Sequence, residues 1–111
     1  MRGLVHMEKQ QGTIAKRFDE NRFTKIDIVK NRRSSAFYLN FLPEQHMKPH
    51  THPGRELYLH VMEGKGTLFI DEKTMEIVPG DVIYFDPEEK AGFTNTGTEP
   101  VTIYGVMTKV D

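Results

Sequence analysis

The chain has no cysteine among its 111 residues, which excludes disulfides, thiolate metal ligands and cysteine nucleophiles. It also has no run approaching the roughly 18 apolar residues that a membrane-spanning helix needs. The opening MRGLVHMEKQQG lacks the apolar core and the small-residue cleavage site of a signal peptide. We therefore expect a cytoplasmic protein that does not associate with a membrane.

An excess of charge of one sign is also lacking. The formal net charge is −1, whereas domains that bind nucleic acid usually carry a basic surface. A single basic cluster, KNRRSS at 30–35, lies between two strand-like runs and is interpreted as a solvated turn. We therefore expect no nucleic-acid partner.

Helical periodicity is almost absent, and short runs rich in β-branched and aromatic residues alternate with glycine, proline, asparagine and aspartate. Central runs such as ELYLHVM are apolar on both parities, which indicates burial on both faces, inside a closed barrel or at an oligomer interface. The rhythm predicts one all-β domain, a sandwich or barrel, over residues 13–111, preceded by a disordered N-terminus at 1–12. The predicted strands are Thr13–Arg17, Lys25–Val29, Ala36–Phe41, Pro49–His52, Glu56–Met62, Thr67–Ile70, Met75–Val78, Asp81–Phe85, Gly92–Asn95 and Val101–Thr108.

Four of the five histidines cluster in the middle of the chain, around the stretch HTHPGRE. His50 and His52 are two positions apart, and alternate residues of a strand face the same side. Pro53 and Gly54 then reverse the chain, which lets Glu56 on the next strand reach the same point. Two imidazoles and a carboxylate directed at one point predict a metal site.

The stretch HTHPGRE, followed by PGDVIYF at 79–85 and GFTNTGTEP at 92–100, resembles the two sequence blocks of the cupin superfamily. The resemblance covers residues 36–108 and implies a jelly-roll β-barrel, also called a double-stranded β-helix, with additional N-terminal strands. Many cupins hold a metal ion through two histidines and a glutamate of the first block and one histidine of the second. The family includes dioxygenases, isomerases and sensor domains, so the fold leaves the function open.

The sequence departs from the cupin pattern in two places. Seven residues separate Glu56 from Gly64, one more than in many cupins, and an extra residue reverses side-chain parity unless a β-bulge absorbs it. We expect such a bulge between Glu56 and His60, which would keep Glu56 facing the histidines. In the second block, Ala91 stands where the fourth ligand is usually a histidine, and alanine cannot bind a metal.

Three hypotheses follow for the site. In the first, His50, His52 and Glu56 bind a divalent ion (Fe, Mn, Ni or Zn) and leave positions open for a small-molecule ligand, as in a dioxygenase or isomerase. In the second, His60 or His46 replaces the missing ligand. In the third, the barrel is free of metal and binds a small ligand, or acts as a sensor or accessory module.

The resemblance also implies an oligomer. Small cupins commonly dimerise, often by lending an N-terminal strand to the sheet of the partner subunit. The predicted strands Thr13–Arg17 and Lys25–Val29 precede the barrel and suit that arrangement. We therefore expect a homodimer.

Overall fold

The computed structural model describes residues 7–110, which form two antiparallel sheets and one short 3₁₀ helix. Within that range no helix has the length and hydropathy that a membrane span requires. Positions 1–6 of the predicted disordered N-terminus lie outside the described residues, and residues 7–11 carry neither helix nor strand. The 3₁₀ helix is Gly12–Ala15, and the strands are β1 (Thr24–Lys30), β2 (Ser34–Phe41), β3 (His46–His50), β4 (Arg55–Glu63), β5 (Gly66–Ile70), β6 (Lys73–Ile77), β7 (Val82–Phe85), β8 (Ala91–Thr94) and β9 (Val101–Lys109).

The chain crosses repeatedly between the two sheets in the manner of a jelly roll, and of the described strands only β1–β2 and β5–β6 are consecutive in one sheet. One sheet has five strands in the order β1-β2-β9-β4-β7, and the other has four in the order β3-β8-β5-β6. Every pair in the two sheets is antiparallel. The all-β jelly-roll fold predicted from the sequence is confirmed.

Two of the predicted strands depart from the structure by more than two residues at an end. The strand predicted at Thr13–Arg17 is wrong, because this segment turns as a 3₁₀ helix and is held by a side chain: the amide of Asn40 donates a 2.9 Å hydrogen bond to the carbonyl of Ala15. The strand predicted at Pro49–His52 instead ends at His50. The backbone N–H of His52 leaves the ladder and donates to the carbonyl of Pro87 at 3.3 Å.

The core lies between the sheets and follows from alternation along the strands. On β4, Leu57 and Leu59 are buried, whereas Tyr58 and Met62 on the other face keep 47% and 42% of their surface exposed. Burial on both faces, as the sequence predicts for this strand, is therefore absent within a single chain. The buried apolar residues are Phe37, Leu39, Phe41, Met47, Leu57, Leu59, Val61, Leu68, Ile77, Phe85, Ala91, Phe93, Val101 and Ile103.

Two residues of the GFTNTG stretch hold neighbouring segments of the barrel in position: Asn95 fixes a loop, and Gly92 lets β3 approach β8. The fully buried amide of Asn95 donates to the carbonyls of Phe41 (3.1 Å) and Glu99 (2.9 Å), which ties the loop after β8 to β2. A Cβ added at Gly92 would lie 2.8 Å from the backbone nitrogen of Pro49. Glycine therefore lets β3 approach β8 closely, and β3 carries His50.

Candidate functional site

The histidine pair lies at one opening of the barrel. His50 is the last residue of β3, and His52 follows in the loop that leads to β4. Their ring centroids are 4.6 Å apart, and the rings are inclined by 52°. The two imidazoles therefore lie together, although a turn brings them there rather than the alternation of one strand.

A cavity of about 120 Å³ opens beside the pair, between the two sheets. This volume is well below the roughly 300 Å³ at which drug-sized sites begin. Most of its lining residues are apolar, and the polar ones are Lys25, His50 and His52. The lining residues are Lys25, Phe37, Leu39, Met47, His50, His52, Leu57, Leu59 and Met107.

The two imidazoles differ in their hydrogen bonds. The Nδ1 atom of His50 lies 2.8 Å from the carbonyl oxygen of Lys48, and because a carbonyl only accepts, this nitrogen carries the hydrogen and Nε2 of the neutral ring is an acceptor. The Nδ1 atom of His52 is buried and has no hydrogen-bond partner among residues 7–110. Burial, then the neighbouring His50, then Lys25 lower the pKa of His52, so its ring is neutral at neutral pH.

Lys25 is a member of the site that the sequence analysis does not single out. It pairs with the buried Leu39 on β2, and residues directly opposite each other in an antiparallel ladder share a face. Its Nζ atom lies 4.5 Å from the centroid of the Phe37 ring and 3.3 Å from Oδ1 of Asp27. A lysine in an edge strand usually faces solvent, so only the register with β2 reveals this one.

The bulge expected between Glu56 and His60 is wrong. The register of β4 against β9 shifts after His60, between Val61 and Glu63, next to the turn at Gly64, whose φ is +77°. Residues 55–61 consequently follow regular alternation, and Leu57 rather than Glu56 lines the cavity.

Glu56 lies on the outer face of the five-stranded sheet. The hydroxyl of Tyr84 on the neighbouring strand donates a 2.6 Å hydrogen bond to its Oε2 atom. This hydrogen bond is the main cause that raises the pKa of Tyr84 to about 12. The carboxylate of Glu56 therefore has a partner on the face opposite to the histidine pair.

The other residues considered as ligands are not gathered at the pair either. His60 shares the outer face with Glu56, between Tyr104 on β9 and Val82 on β7. His46 is exposed at the start of β3 and has the parity opposite to that of Met47, which lines the cavity.

The residues at the mouth do not fit a centre of two histidines and a glutamate. Leu57 faces the cavity where the carboxylate is expected, and the buried Ala91 lies directly opposite His50 in the ladder of β3 and β8. Across the described part of the chain, no three side chains of His, Cys, Asp or Glu come together to hold a metal ion. Two imidazoles fall short of the three protein ligands that catalytic zinc sites use.

Comparison with known proteins establishes the family. The model of the cupin domain matches residues 37–107, and the chain belongs to the cupin family. None of the curated proteins is significantly similar to the chain.

Several solved structures share the fold. A protein from Thermus thermophilus is 21% identical over 93% of this chain and 98% of its own, with a TM-score of 0.86. An RmlC-like cupin protein from Desulfovibrio desulfuricans is 21% identical over 93% and 97%, with a TM-score of 0.80. A predicted oxalate decarboxylase from Thermotoga maritima is 16% identical over 93% and 100%, with a TM-score of 0.76. At these identities the likeness concerns the fold alone.

Proposed function

We propose that this cupin binds a small organic molecule in the cavity between its sheets, and that the molecule enters past His50 and His52. The observation that carries the proposal is the division of the lining: its apolar side chains are buried or half-buried, whereas Lys25 and His50 are exposed. Small-molecule sites are built in this way, with apolar walls for the body of the ligand and a few polar groups to orient it.

A metal centre is not part of this proposal. Leu57 and Ala91 occupy the positions from which the third and fourth ligands would come. Binding of a divalent ion (Fe, Mn, Ni or Zn) at His50 and His52, with Glu56 or His60, stays a prediction, as does the dioxygenase or isomerase activity that would depend on the metal. We therefore assign no catalytic step to this chain.

The methionines allow a direct test of binding. Met47 and Met107 line the cavity, whereas Met62 and Met75 lie on the surface with 42% and 46% of their area exposed. Titration of protein labelled with ¹³C at the methionine methyls, using butanol and butyrate as probes, should shift the first two signals and leave the other two in place.

The outcomes separate the two hypotheses for the site. The protein is purified without a chelating tag, and its metal content is measured by elemental analysis before the titration. If no probe moves the Met47 and Met107 signals, the proposal fails. Near one equivalent of metal per chain, lost in the double variant His50→Ala/His52→Ala, would instead support the metal hypothesis.

We also propose that the chain forms a homodimer through the outer face of the five-stranded sheet. Val82, Tyr58 and Tyr84 lie on this face with 65%, 47% and 44% of their surface exposed, and the two tyrosine rings are 5.0 Å apart. Strand β1 pairs with β2 of its own chain, so this face, rather than a lent strand, is the candidate interface. A closed dimer needs such a self-complementary patch.

Light scattering coupled to size-exclusion chromatography tests the dimer. Val82→Lys should shift the mass to that of a monomer, while Met75→Lys, an equally drastic change on the other sheet, should not. A monomeric wild-type protein would refute the proposal.

The cytoplasmic location expected from the sequence stays a prediction, which fractionation of cells would test.

A further inference from the structure

We propose that the ligand of this cavity is a short-chain organic carboxylate, whose carboxylate group is bound by Lys25 while its carbon chain enters the apolar interior. This inference rests on the proposed function, since it names the chemical class that the same cavity accepts.

The ionisable groups at the cavity indicate the sign of the ligand charge. Lys25, His50 and His52 are the ionisable residues of the lining, and all three are bases. No aspartate or glutamate of the described residues lines the cavity, and the carboxylate of Asp27, which contacts the ammonium of Lys25, lies outside the lining. An anionic group at the mouth would face the ammonium of Lys25, the side chain of this lining that carries a charge at neutral pH.

The ammonium group of Lys25 can donate hydrogen bonds to a ligand in addition to its contact with Asp27. An ammonium offers three N–H donors, and the contact that it makes with Asp27 is 3.3 Å long, between side chains that are 42% and 38% exposed. Ion pairs of this exposed kind contribute little, so a ligand carboxylate can bind without first displacing a strong partner. The Phe37 ring, 4.5 Å from Nζ, holds the ammonium at the mouth through its π face.

The interior limits the rest of the ligand. Below the mouth the ligand would meet Leu57, Leu59 and Met107, which offer dispersion contacts and no hydrogen bonds. A cavity of about 120 Å³ is small beside the roughly 300 Å³ at which drug-sized sites begin, which suits a chain of a few carbons. The buried Nδ1 of His52, which has no partner within residues 7–110, is a second polar atom at the mouth for the bound headgroup.

A pair of probes of the same shape tests the charge. Butyrate and butyramide differ in charge and match in size, and each is titrated at constant ionic strength into protein with ¹³C-labelled methionine methyls. Butyrate should shift the signals of Met47 and Met107 and bind about tenfold more tightly than butyramide. Hydrogen bonds to charged groups are stronger than those between neutral groups by about the free energy that a tenfold change in affinity represents. Lys25→Met should abolish this preference. Asp27→Asn, the matched control on the same strand, should keep or strengthen it.

The possible results have different consequences. If the two probes bind equally to wild-type protein, or if Lys25→Met retains the preference for butyrate, the assignment of a carboxylate is overturned while the proposed cavity function stands. If neither probe reaches Met47 and Met107, both proposals fail. The comparison of the two probes on wild-type protein decides the question of charge even if the Lys25→Met variant does not fold.

Discussion

The orientation of β4 can be tested by truncating two adjacent residues of this strand. Leu57 is 3% exposed and lines the cavity, whereas Glu56 faces outward and accepts the hydrogen bond from Tyr84. Truncation of a buried leucine to alanine costs about 2–5 kcal/mol, because apolar contacts are lost and a larger void remains. Taking about 3 kcal/mol for Leu57→Ala, and about 4 °C per kcal/mol for a domain of this size, Tm should fall by about 12 °C.

The neighbouring change should have a much smaller effect. Glu56→Ala removes one hydrogen bond of the outer face, worth roughly 1 kcal/mol, and opens no void in the core, so Tm should fall by only about 4 °C. Thermal unfolding of both variants, followed by circular dichroism at one protein concentration, measures the contrast. A larger loss in Glu56→Ala than in Leu57→Ala would mean that the parity of β4 is reversed and that Glu56 faces the histidine pair.

Three further predictions concern single side chains. The pKa of His52 is lowered below its ordinary value of 6.5 in the folded protein. At a pH between the folded and the unfolded pKa, the unfolded chain therefore binds more protons than the folded one. The free energy of unfolding should fall as the pH drops below about 6.5 and level off below the folded pKa. In urea titrations across this pH range, the free energy of unfolding of His52→Gln should fall less steeply than that of the wild type. Equal slopes in the variant and the wild type would contradict a lowered pKa of His52 in the folded protein. Asn95→Ala leaves the buried carbonyl oxygen of Phe41 without its donor and should cost about 1–3 kcal/mol in the same assay, whereas Thr98→Ala in the exposed part of that loop should be nearly neutral. Ala91→His places a third imidazole opposite His50 and should raise the affinity for Zn²⁺ measured by calorimetry, while Ala91→Gln, of similar bulk, should not. Equal affinities of these two variants for Zn²⁺ would show that a side chain at position 91 does not reach the histidine pair.

The sequence alone was sufficient for the architecture. Apolar and aromatic runs broken by glycine, proline and asparagine predict most of the strands to within a few residues, because burial of one sheet face imposes alternation that is visible locally. The residues PGDVIYF and GFTNTG identify the family, since glycine and asparagine there serve local needs: a close approach at Gly92 and a loop held by Asn95. The closeness of His50 and His52 likewise follows from their separation by one residue.

Only the tertiary structure decided which side chains meet at the site. The extra residue in β4 can be absorbed by a bulge at any point along a nine-residue strand. A bulge before His60 would bring Glu56 to the cavity, whereas the bulge found after Val61 does not. The local sequence does not distinguish these two positions. Lys25 faces inward because of its register with β2, a pairing between residues distant in sequence. The parity of a strand and the register between strands are set by packing across the whole barrel, and these two quantities determine that the mouth presents two histidines and a lysine above a leucine.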